Sequence, residues 1–559
     1  MVLVAEPGTE DQAADEEPGP LIGRPTWRGL DVRRWGLRRV GVAAVVIAYA
    51  ALGTLNALAV PPLVPRDETG HISYVVSITH GDLPTITTPL AKDDVPLLRA
   101  NHKDTTWAAN HPPLFYVLAA GPMKLALSLH RPTLGIRLIR IMNVGFVMAT
   151  MVLAAVLARR LLRRSPRAPI VAAATAGLIG TVPHTAAMAY NDAVAMFTAA
   201  ALTVAAIAVF DRGPSVRALA WVAGAASAAA LSRFTNLAVI ATAGVVVALG
   251  VVRHTGGSVG QRFAALARAG GIVGVPVVVS SAWFYLRNRH LYGDYTGAHD
   301  LLVMFHRRPS GSAGTFLQSS RFWRSVHDEL WTRYSQARSA GTYGHGLPLA
   351  VGRVLTLVLV IGLVCAMLRW VWARITVPGP AKRMWTWWLP AIAVGEMALF
   401  VLMMAKFASD GGSAHSRYLF PLLPVIGCFA ALAWSCLPGN RRGIVSVAGL
   451  LAAVALAGDV LHRLLVAVVG DDGWIGTEID ALAKAVPGAA GVLMAELLVL
   501  GVAMGVAAWA LLILPPERLL RRAGGQSTGV DGREEDSDGG PQPPPTDAGP
   551  ELVFGESIR

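Results

Sequence analysis

The chain has 559 residues, of which 53% are hydrophobic and only 15% are charged, and its mean hydropathy is +0.49. Soluble domains carry roughly 25% charged residues, so this composition excludes a water-soluble protein. The net charge of +13 comes from short arginine clusters beside apolar blocks, which excludes the continuous basic face of a nucleic-acid-binding protein.

Apolar blocks recur along the chain, each about the 20 residues that a helix needs to cross the hydrocarbon core. We therefore predict an all-α polytopic membrane protein of about twelve transmembrane helices. The polar tail 1–39 is too long for a cleaved signal peptide, so the first block is predicted to be a retained signal anchor. The predicted spans are 40–60, 134–158, 168–189, 192–210, 216–232, 235–252, 270–287, 347–369, 386–406, 417–437, 442–462 and 491–514.

The apolar segment 112–129 is ambiguous. If it crossed the membrane, the arginine cluster 159–167 would lie outside, against the rule that basic loops remain cytoplasmic. If it lies in the interface, every basic cluster faces the cytoplasm, and a Gly-Pro pair and a lysine within it suit that position. We therefore predict a plasma-membrane protein with both termini in the cytoplasm.

This topology divides the chain into predicted regions. The transmembrane domain is predicted to run from 40 to 516, and a Gly-, Pro- and acid-rich cytoplasmic tail, 517–559, is predicted to be disordered. The predicted extracytoplasmic loops are 61–133, 288–346 and 463–490.

The first outer loop begins with the densest polar cluster in the chain. Asp67, His71 and Tyr74 are separated by four and then three residues, so a helix would place them on one face. Asp67 and its neighbour Glu68 are candidate acids for chemistry, although either could simply complement the positive end of the helix dipole. His111, near the end of the same loop, is a candidate substrate ligand or a headgroup-level anchor.

Further polar residues lie at the predicted outer ends of later spans. Asp192 begins the fourth span, where it could be only part of a helix cap. Arg417 and Tyr418 begin the tenth span, where backbone amides and a guanidinium can act on one anion, although Arg417 could instead be a snorkelling interfacial arginine. Arg233 and Arg287 are weaker candidates for the same role. The aromatic residues of the second outer loop suit sugar binding or an ordinary interfacial belt.

Four motifs taken together resemble a known superfamily. They are Asp-Glu-x-x-His from 67 to 71, Asn-His-Pro-Pro-Leu-x-Tyr from 110 to 116, Asn-Asp at 191–192 and Arg-Tyr-Leu-Phe-Pro from 417 to 421. Their order and common sidedness resemble the GT-C superfamily, which comprises integral-membrane glycosyltransferases that use polyprenyl-phosphate sugars. The resemblance covers residues 40 to about 440 and is closest to the bacterial protein-mannosyltransferase-like branch.

The resemblance implies an inverting glycosyltransferase with a GT-C fold, acting on the extracytoplasmic face. It implies that Asp67 is the catalytic acid, with Glu68 as a neighbour and substitute and His71 beside them. It implies Asp192 as a metal ligand, for Mg²⁺ or Mn²⁺, only if the enzyme is metal-dependent. The predicted donor-phosphate ligands are Arg417, Arg233 and Arg287, and the predicted substrate ligands are His111, Tyr74 and Tyr418.

The implied partners are membrane lipid, a polyprenyl-phosphate-linked sugar as donor, and a glycan, lipid or protein of the cell envelope as acceptor. The alternative prediction is a transporter or flippase of a lipid-linked or anionic substrate. A transporter is expected to place ionisable groups near the bilayer midplane, whereas the acids here lie mainly at loop edges. A membrane scaffold without catalysis would leave the outward-facing Asp, His and Arg residues unexplained.

Overall fold

The computed structural model describes residues 27–65, 67–100, 104–163, 165–333, 346–376, 388–436 and 442–514. Within these ranges the regular structure is helical, so the predicted all-α fold is confirmed. The predicted tail 517–559 and part of the second outer loop, 334–345, lie outside the described residues. The helices are α1 Trp27–Ala59, α2 Glu68–Thr79, α3 Leu114–Ser128, α4 Pro132–Leu161, α5 Ala168–Leu178, α6 Val182–Ala186, α7 Asp192–Arg212, α8 Val216–Ser232, α9 Asn236–His254, α10 Val259–Tyr292, α11 Ala298–Met304, α12 Ala313–Gln318, α13 Ser320–Trp331, α14 Leu347–Thr376, α15 Trp388–Ser409, α16 Leu423–Cys436, α17 Arg442–Val469, α18 Gly473–Ala483 and α19 Ala489–Ile513.

Ten helices of the described chain are long and apolar enough to cross a membrane, whereas the sequence predicts twelve spans. The predicted span 216–232 is present as α8 but has only 17 residues. The predicted span 168–189 is not one helix, because it divides into α5, with 11 residues, and the single turn of α6. The ten are Gly36–Ala59, Pro132–Leu161, Asp192–Arg212, Asn236–His254, Val259–Tyr292, Leu347–Leu368, Trp388–Ser409, Ser416–Cys436, Arg442–Val469 and Ala489–Ile513.

The break after α5 has a packing cause. Ten of the eleven α5 residues are buried, so the helix is surrounded by protein and its length is not set by contact with lipid. Gly180 follows with a φ of +40°, and a Cβ at this position would lie 2.2 Å from the carbonyl oxygen of Leu330. The amide of Thr181 donates to the same carbonyl at 3.0 Å. The break is therefore fixed by the backbone at the end of α13.

Helix α3 begins, and the helix after it is anchored, at the end of the bundle where α1 ends and α2 begins. At its beginning, the Tyr116 hydroxyl lies 2.8 Å from Nδ1 of His71 in α2. Eight residues inside α4, the helix that follows, Arg140 donates to the carbonyl of Val60, directly after the end of α1. Because α2 directly follows α1, both contacts lie at one end of the bundle. Exposed apolar side chains, such as Val117 and Leu125, leave α3 suited to an interfacial position.

The basic clusters gather at the opposite end. Arg167 lies beyond the far end of α4 and donates to the carbonyls of Leu511 and Leu514, at the end of α19. Arg163 lies 3.8 Å from Asp211, at the end of α7. The two ends of the bundle therefore differ, because one carries the arginine-rich turn after α4 and the other carries the long polar loops.

Candidate active site

The candidate site is built around an ion pair between the first outer loop and the segment before α16. Asp67 is the N-cap residue of α2. Arg417 belongs to the 3₁₀ segment Ser416–Leu422, and its Nη2 donates a hydrogen bond to the Asp67 carboxylate. The structure thus brings together Asp67, the candidate catalytic carboxylate, and Arg417, the candidate phosphate ligand.

A second ion pair lies beside the first. Asp192 is the first residue of α7 and Arg233 follows α8, and these two buried side chains form a salt bridge. Nη1 of Arg417 lies 3.8 Å from the Asp192 carboxylate. We call Asp67, Asp192, Arg233 and Arg417 the charge cluster. Its two acids and two arginines come from four separate segments of the chain.

Tyrosine rings line the charge cluster. The guanidinium of Arg417 lies 5.4 Å from the ring centre of Tyr190 and 5.8 Å from that of Tyr418. The guanidinium of Arg233 lies 5.3 Å from the same Tyr418 ring. Such cation–π contacts favour the charged guanidinium in a partly desolvated site. Tyr418, a predicted substrate ligand, therefore lies against both arginines.

Electrostatics keep Asp67 ionised in the resting site. Burial acts to raise its pKa, but the Arg417 guanidinium, with smaller contributions from His71 and His415, lowers the pKa to about 2. Burial lowers the pKa of Arg233 to about 10, which leaves it protonated at neutral pH. In the resting site Asp67 is therefore an ionised carboxylate. It is a weak base there, because the positive charge of Arg417 stabilises the ionised form.

Two histidines stack beside the acid. The rings of His71 and His111 are 5.6 Å apart with an interplanar angle of 9°, and Nδ1 of His71 is 2.8 Å from the Tyr116 hydroxyl. Burial holds the pKa of His71 well below its usual range and lowers that of His111 to about 3. Both imidazoles are therefore neutral at physiological pH and offer one donor and one acceptor nitrogen each.

Tyr74 has a supporting position rather than one facing a substrate. Its side chain is fully buried, its ring stacks on Tyr116 at 3.6 Å between centroids, and its hydroxyl donates to the carbonyl of His111. The predicted common face of Asp67, His71 and Tyr74 exists, but only the first two residues approach the charge cluster. Tyr74 instead supports the loop that carries His111.

Glu68 occupies a different environment from its neighbour. Both Glu68 and Arg140 are completely buried, and Nε and Nη2 of Arg140 donate to the two carboxylate oxygens at 2.8 and 2.7 Å. The amides of Ala189 and Leu63 donate to the same oxygens at 3.0 and 2.8 Å. With four donors around it, the Glu68 carboxylate has no free acceptor position. This geometry does not fit the prediction that Glu68 could replace Asp67 as the catalytic residue.

Arg287, one of the three predicted phosphate ligands, makes other contacts. Its Nη2 donates to the carbonyls of Leu83 and Pro84 at 3.2 and 2.7 Å. These contacts fix the end of α10 to the first outer loop. Arg233 and Arg417 are the two predicted ligands that the structure brings together in the charge cluster.

The predicted metal role of Asp192 does not fit its surroundings. Arg233 and Arg417 approach its carboxylate, so two guanidinium groups occupy the positions that a divalent cation would need. Among the described residues, no group of three or more His, Cys, Asp or Glu could hold a metal ion. We therefore derive no step through Mg²⁺ or Mn²⁺.

Sequence reasoning missed two residues that hold the site. Arg140 reads as one more cation in an apolar span, although an arginine eight residues inside α4 is itself a sign of a buried partner. Glu329 in α13 accepts hydrogen bonds from Nδ1 of His415 and from the amide of Ser416, at 2.8 and 2.7 Å. Glu329 thus fixes the residue directly before Arg417.

The sequence matches no family model and no curated protein. Solved structures show similarity. ArnT from Cupriavidus metallidurans, bound to undecaprenyl phosphate, is 14% identical over 87% of this chain and 78% of its own, with a TM-score of 0.39. The archaeal oligosaccharyltransferase AglB from Archaeoglobus fulgidus, in complex with an inhibitory peptide and a dolichol-phosphate, is 14% identical over 80% and 58%, with a TM-score of 0.38. The Pmt1-Pmt2 protein O-mannosyltransferase complex of S. cerevisiae, bound to the sugar donor, is 17% identical over 48% and 37%, with a TM-score of 0.33.

Proposed function

We propose that this protein is a GT-C-type glycosyltransferase of the plasma membrane. In this proposal it transfers a sugar from a polyprenyl-phosphate donor to a cell-envelope acceptor on the extracytoplasmic face. The observation that carries the proposal is the charge cluster, in which a carboxylate and two arginines meet at the loop-bearing end of the helix bundle. A lipid phosphate at the membrane surface and an acceptor from outside can meet at such a position.

The proposed reaction is a single displacement at the anomeric carbon of the sugar. The acceptor oxygen forms the new bond to this carbon as the bond to the phosphate oxygen breaks. Asp67 takes the proton of the acceptor hydroxyl, and polyprenyl phosphate leaves with the bonding electron pair. A positioned general base contributes roughly 10²- to 10⁴-fold to the rate of such a step.

Arg417 and Arg233 are proposed to stabilise the leaving phosphate. The donor is a phosphodiester with one negative charge, and a second charge develops on the phosphate as the sugar departs. Donors aimed at a developing charge lower the barrier because they interact more strongly with the transition state than with the ground state. Nε of Arg417 is buried and has no hydrogen-bond partner among the described residues, which leaves a donor for this anion.

The same arginine links donor binding to the strength of the base. In the resting site Arg417 neutralises Asp67, and this contact lowers the Asp67 pKa. A phosphate that binds Arg417 competes for the guanidinium, so the Asp67 pKa is expected to rise towards its ordinary value. Asp67 then becomes a stronger base when the donor is in place, which limits reaction without donor.

An apolar groove offers a place for the polyprenyl tail. It lies between α5, α14, α16 and α17, and its wall runs from Trp331, close to Glu329, towards Trp434 at the far end of α16. A lipid chain in this groove would leave its phosphate near the segment that carries Arg417. The large aliphatic residues of its lining are Ile170, Val171, Ile179, Leu355, Leu359, Leu450 and Leu511.

The test uses purified protein in liposomes with a radiolabelled polyprenyl-phosphate sugar and a cell-envelope extract. We expect label to move onto an acceptor with stoichiometric release of polyprenyl phosphate. We expect Asp67→Asn to abolish the transfer and the release. Label that crosses the bilayer while still attached to its lipid, in wild type and Asp67→Asn alike, would instead establish the transporter alternative.

A further inference from the structure

The second outer loop carries a surface of uncompensated positive charge. Between Phe305 and Arg324 the sequence has four arginines and no acid. All four are exposed, and none forms an ion pair within the described part of the chain. Arginines in membrane proteins are enriched in cytoplasmic loops, so four exposed arginines on an outer loop suggest a function there. We call Arg307, Arg308, Arg321 and Arg324 the arginine surface.

The arginine surface adjoins the charge cluster. Phe322 of α13 packs in one hydrophobic cluster with Met404 of α15 and with Tyr418, whose ring lies against Arg233 and Arg417. Arg308 lies over Gly411, because a Cβ on this glycine would be 2.8 Å from the Arg308 carbonyl oxygen. Both halves of the arginine surface therefore rest on the stretch 404–418, which leads directly into the site.

An exposed aromatic ring lies on the same helix, α13, as two of these arginines. Trp323 is 44% exposed, its ring is held edge-on against Phe322, and its indole N–H donates to the carbonyl of Leu317 at 2.7 Å. A tryptophan that anchors a protein in the interface directs this N–H to the polar headgroups. Here the N–H is satisfied within the protein, and the ring remains exposed on the helix that carries Arg321 and Arg324.

We propose that the arginine surface and Trp323 form the docking site for the acceptor, and that the acceptor is an anionic glycan bearing carboxylate or phosphate groups. This inference rests on the proposed function and gives its acceptor a chemical class. The guanidinium groups bind the acidic groups through charge-assisted hydrogen bonds, and the Trp323 ring stacks on a sugar face. The glycan then extends past Tyr418, so that a hydroxyl reaches Asp67.

One helix connects docking to catalysis. The exposed face of α13 carries Arg321, Trp323 and Arg324, and its buried face carries Glu329. Glu329 accepts hydrogen bonds from His415 and from the amide of Ser416, which precedes Arg417. A glycan bound to α13 is therefore within about two helical turns of Glu329, which holds the segment that carries the phosphate ligand.

The test measures glycan binding directly, without turnover. Wild-type protein in neutral phosphatidylcholine nanodiscs is titrated with fluorescent oligogalacturonate and with malto-oligosaccharide of equal length. We expect the acidic glycan to bind and the neutral one not to bind, with affinity that falls as salt rises. Arg321→Gln/Arg324→Gln should weaken binding at least about tenfold, and Trp323→Ala by about threefold or more.

The matched control is Arg262→Gln/Arg268→Gln, which removes the same charge from exposed positions in the first half of α10, at the opposite end of the bundle, and should bind like wild type. Asp67→Asn should also bind like wild type, so docking and transfer can fail separately. Unchanged affinity in Arg321→Gln/Arg324→Gln would overturn the proposal. It would also be overturned if Trp323→Ala had no effect while inorganic polyphosphate competed fully, because the surface would then recognise charge alone. Displacement of the glycan by phosphatidylglycerol in the nanodisc would overturn it as well, because the surface would then bind lipid.

Discussion

Arg417 follows Asp67 by 350 positions in the sequence, yet its guanidinium donates a hydrogen bond to the Asp67 carboxylate. The contact joins the first outer loop to a segment that enters a late helix, and it brings opposite charges together before any substrate is present. Under the proposed function, this ion pair holds the empty site together, and a donor phosphate that binds Arg417 releases Asp67 to act as a base. Each element of this arrangement can be tested separately.

Asp67→Asn removes the base while keeping the shape and an oxygen that can accept from Arg417. We expect normal expression and insertion but a loss of sugar transfer of at least about a hundredfold. The measurement is initial rate in liposomes with the protein amount matched by fluorescence. Asp300→Asn, at an only partly buried loop acid, is the control. Near-normal transfer by Asp67→Asn would remove this residue from the chemistry.

Arg417→Lys retains the charge but loses the planar fork that can hold Asp67 and a phosphate oxygen together. We expect weaker use of the donor, seen as a raised KM and a lowered kcat, with little change in protein level. Arg289→Lys, at an exposed position, should leave both constants unchanged. Wild-type kinetics in Arg417→Ala would instead identify Arg417 as a simple interfacial anchor.

Glu68→Gln should act on stability rather than on the chemical step. The change leaves the Arg140 guanidinium buried without its counter-charge, and breaking a buried pair in this way costs about 3 to 5 kcal/mol. We expect reduced expression and a lower melting temperature in detergent. Glu68→Gln combined with Arg140→Gln should recover part of the loss. A well-folded, inactive Glu68→Gln would show that Glu68 takes part in the reaction.

His71 predicts a specific pH dependence of stability. Its pKa in the folded protein is lowered below the ordinary value of 6.5, so below about pH 6.5 the unfolded chain binds a proton that the folded protein does not. The stability that the neutral His71 gives to the folded protein is fully present above this pH. As the pH falls further, the free energy of unfolding decreases by up to about 1.4 kcal/mol per pH unit. We expect His71→Gln, which keeps a partner for Tyr116, to flatten the melting-temperature profile between pH 7 and pH 5 as measured by thermal unfolding.

The proposed sidedness can be measured by cysteine labelling in a variant without the three native cysteines. We expect Asp82→Cys, Ser310→Cys and Trp474→Cys to react with an impermeant thiol reagent from outside, and Arg163→Cys to react only after permeabilisation. All four positions are exposed in the structure, so accessibility does not distinguish them. Labelling of Arg163→Cys in intact cells would mean that α3 crosses the membrane and would separate the proposed site from the outer face.

Most helices could be predicted from the sequence because an uninterrupted apolar block of sufficient length has few alternatives in a membrane. The charge cluster could be anticipated in part, since Asp67, Asp192, Arg233 and Arg417 are ionisable residues at the ends of apolar blocks. Their pairing could not, because each contact joins segments remote in sequence. For the same reason the sequence does not reveal that Arg140, 72 residues away in α4, is the partner of Glu68. The break of 168–189 was also invisible, because its cause is the approach of the Leu330 carbonyl to Gly180.

The shortness of α5 has a consequence for the variation this protein can tolerate. Eleven helical residues rise only about 16 Å, roughly half of the hydrocarbon thickness, so the chain from 179 to 191 completes the path with the single turn of α6 and irregular backbone on either side of it. Its peptide groups depend on side chains from elsewhere, including Asn143, which donates to the carbonyls of Met188 and Tyr190. In a scan of all single substitutions, Asn143 is therefore expected to be as intolerant as a catalytic residue, although it would touch neither donor nor acceptor.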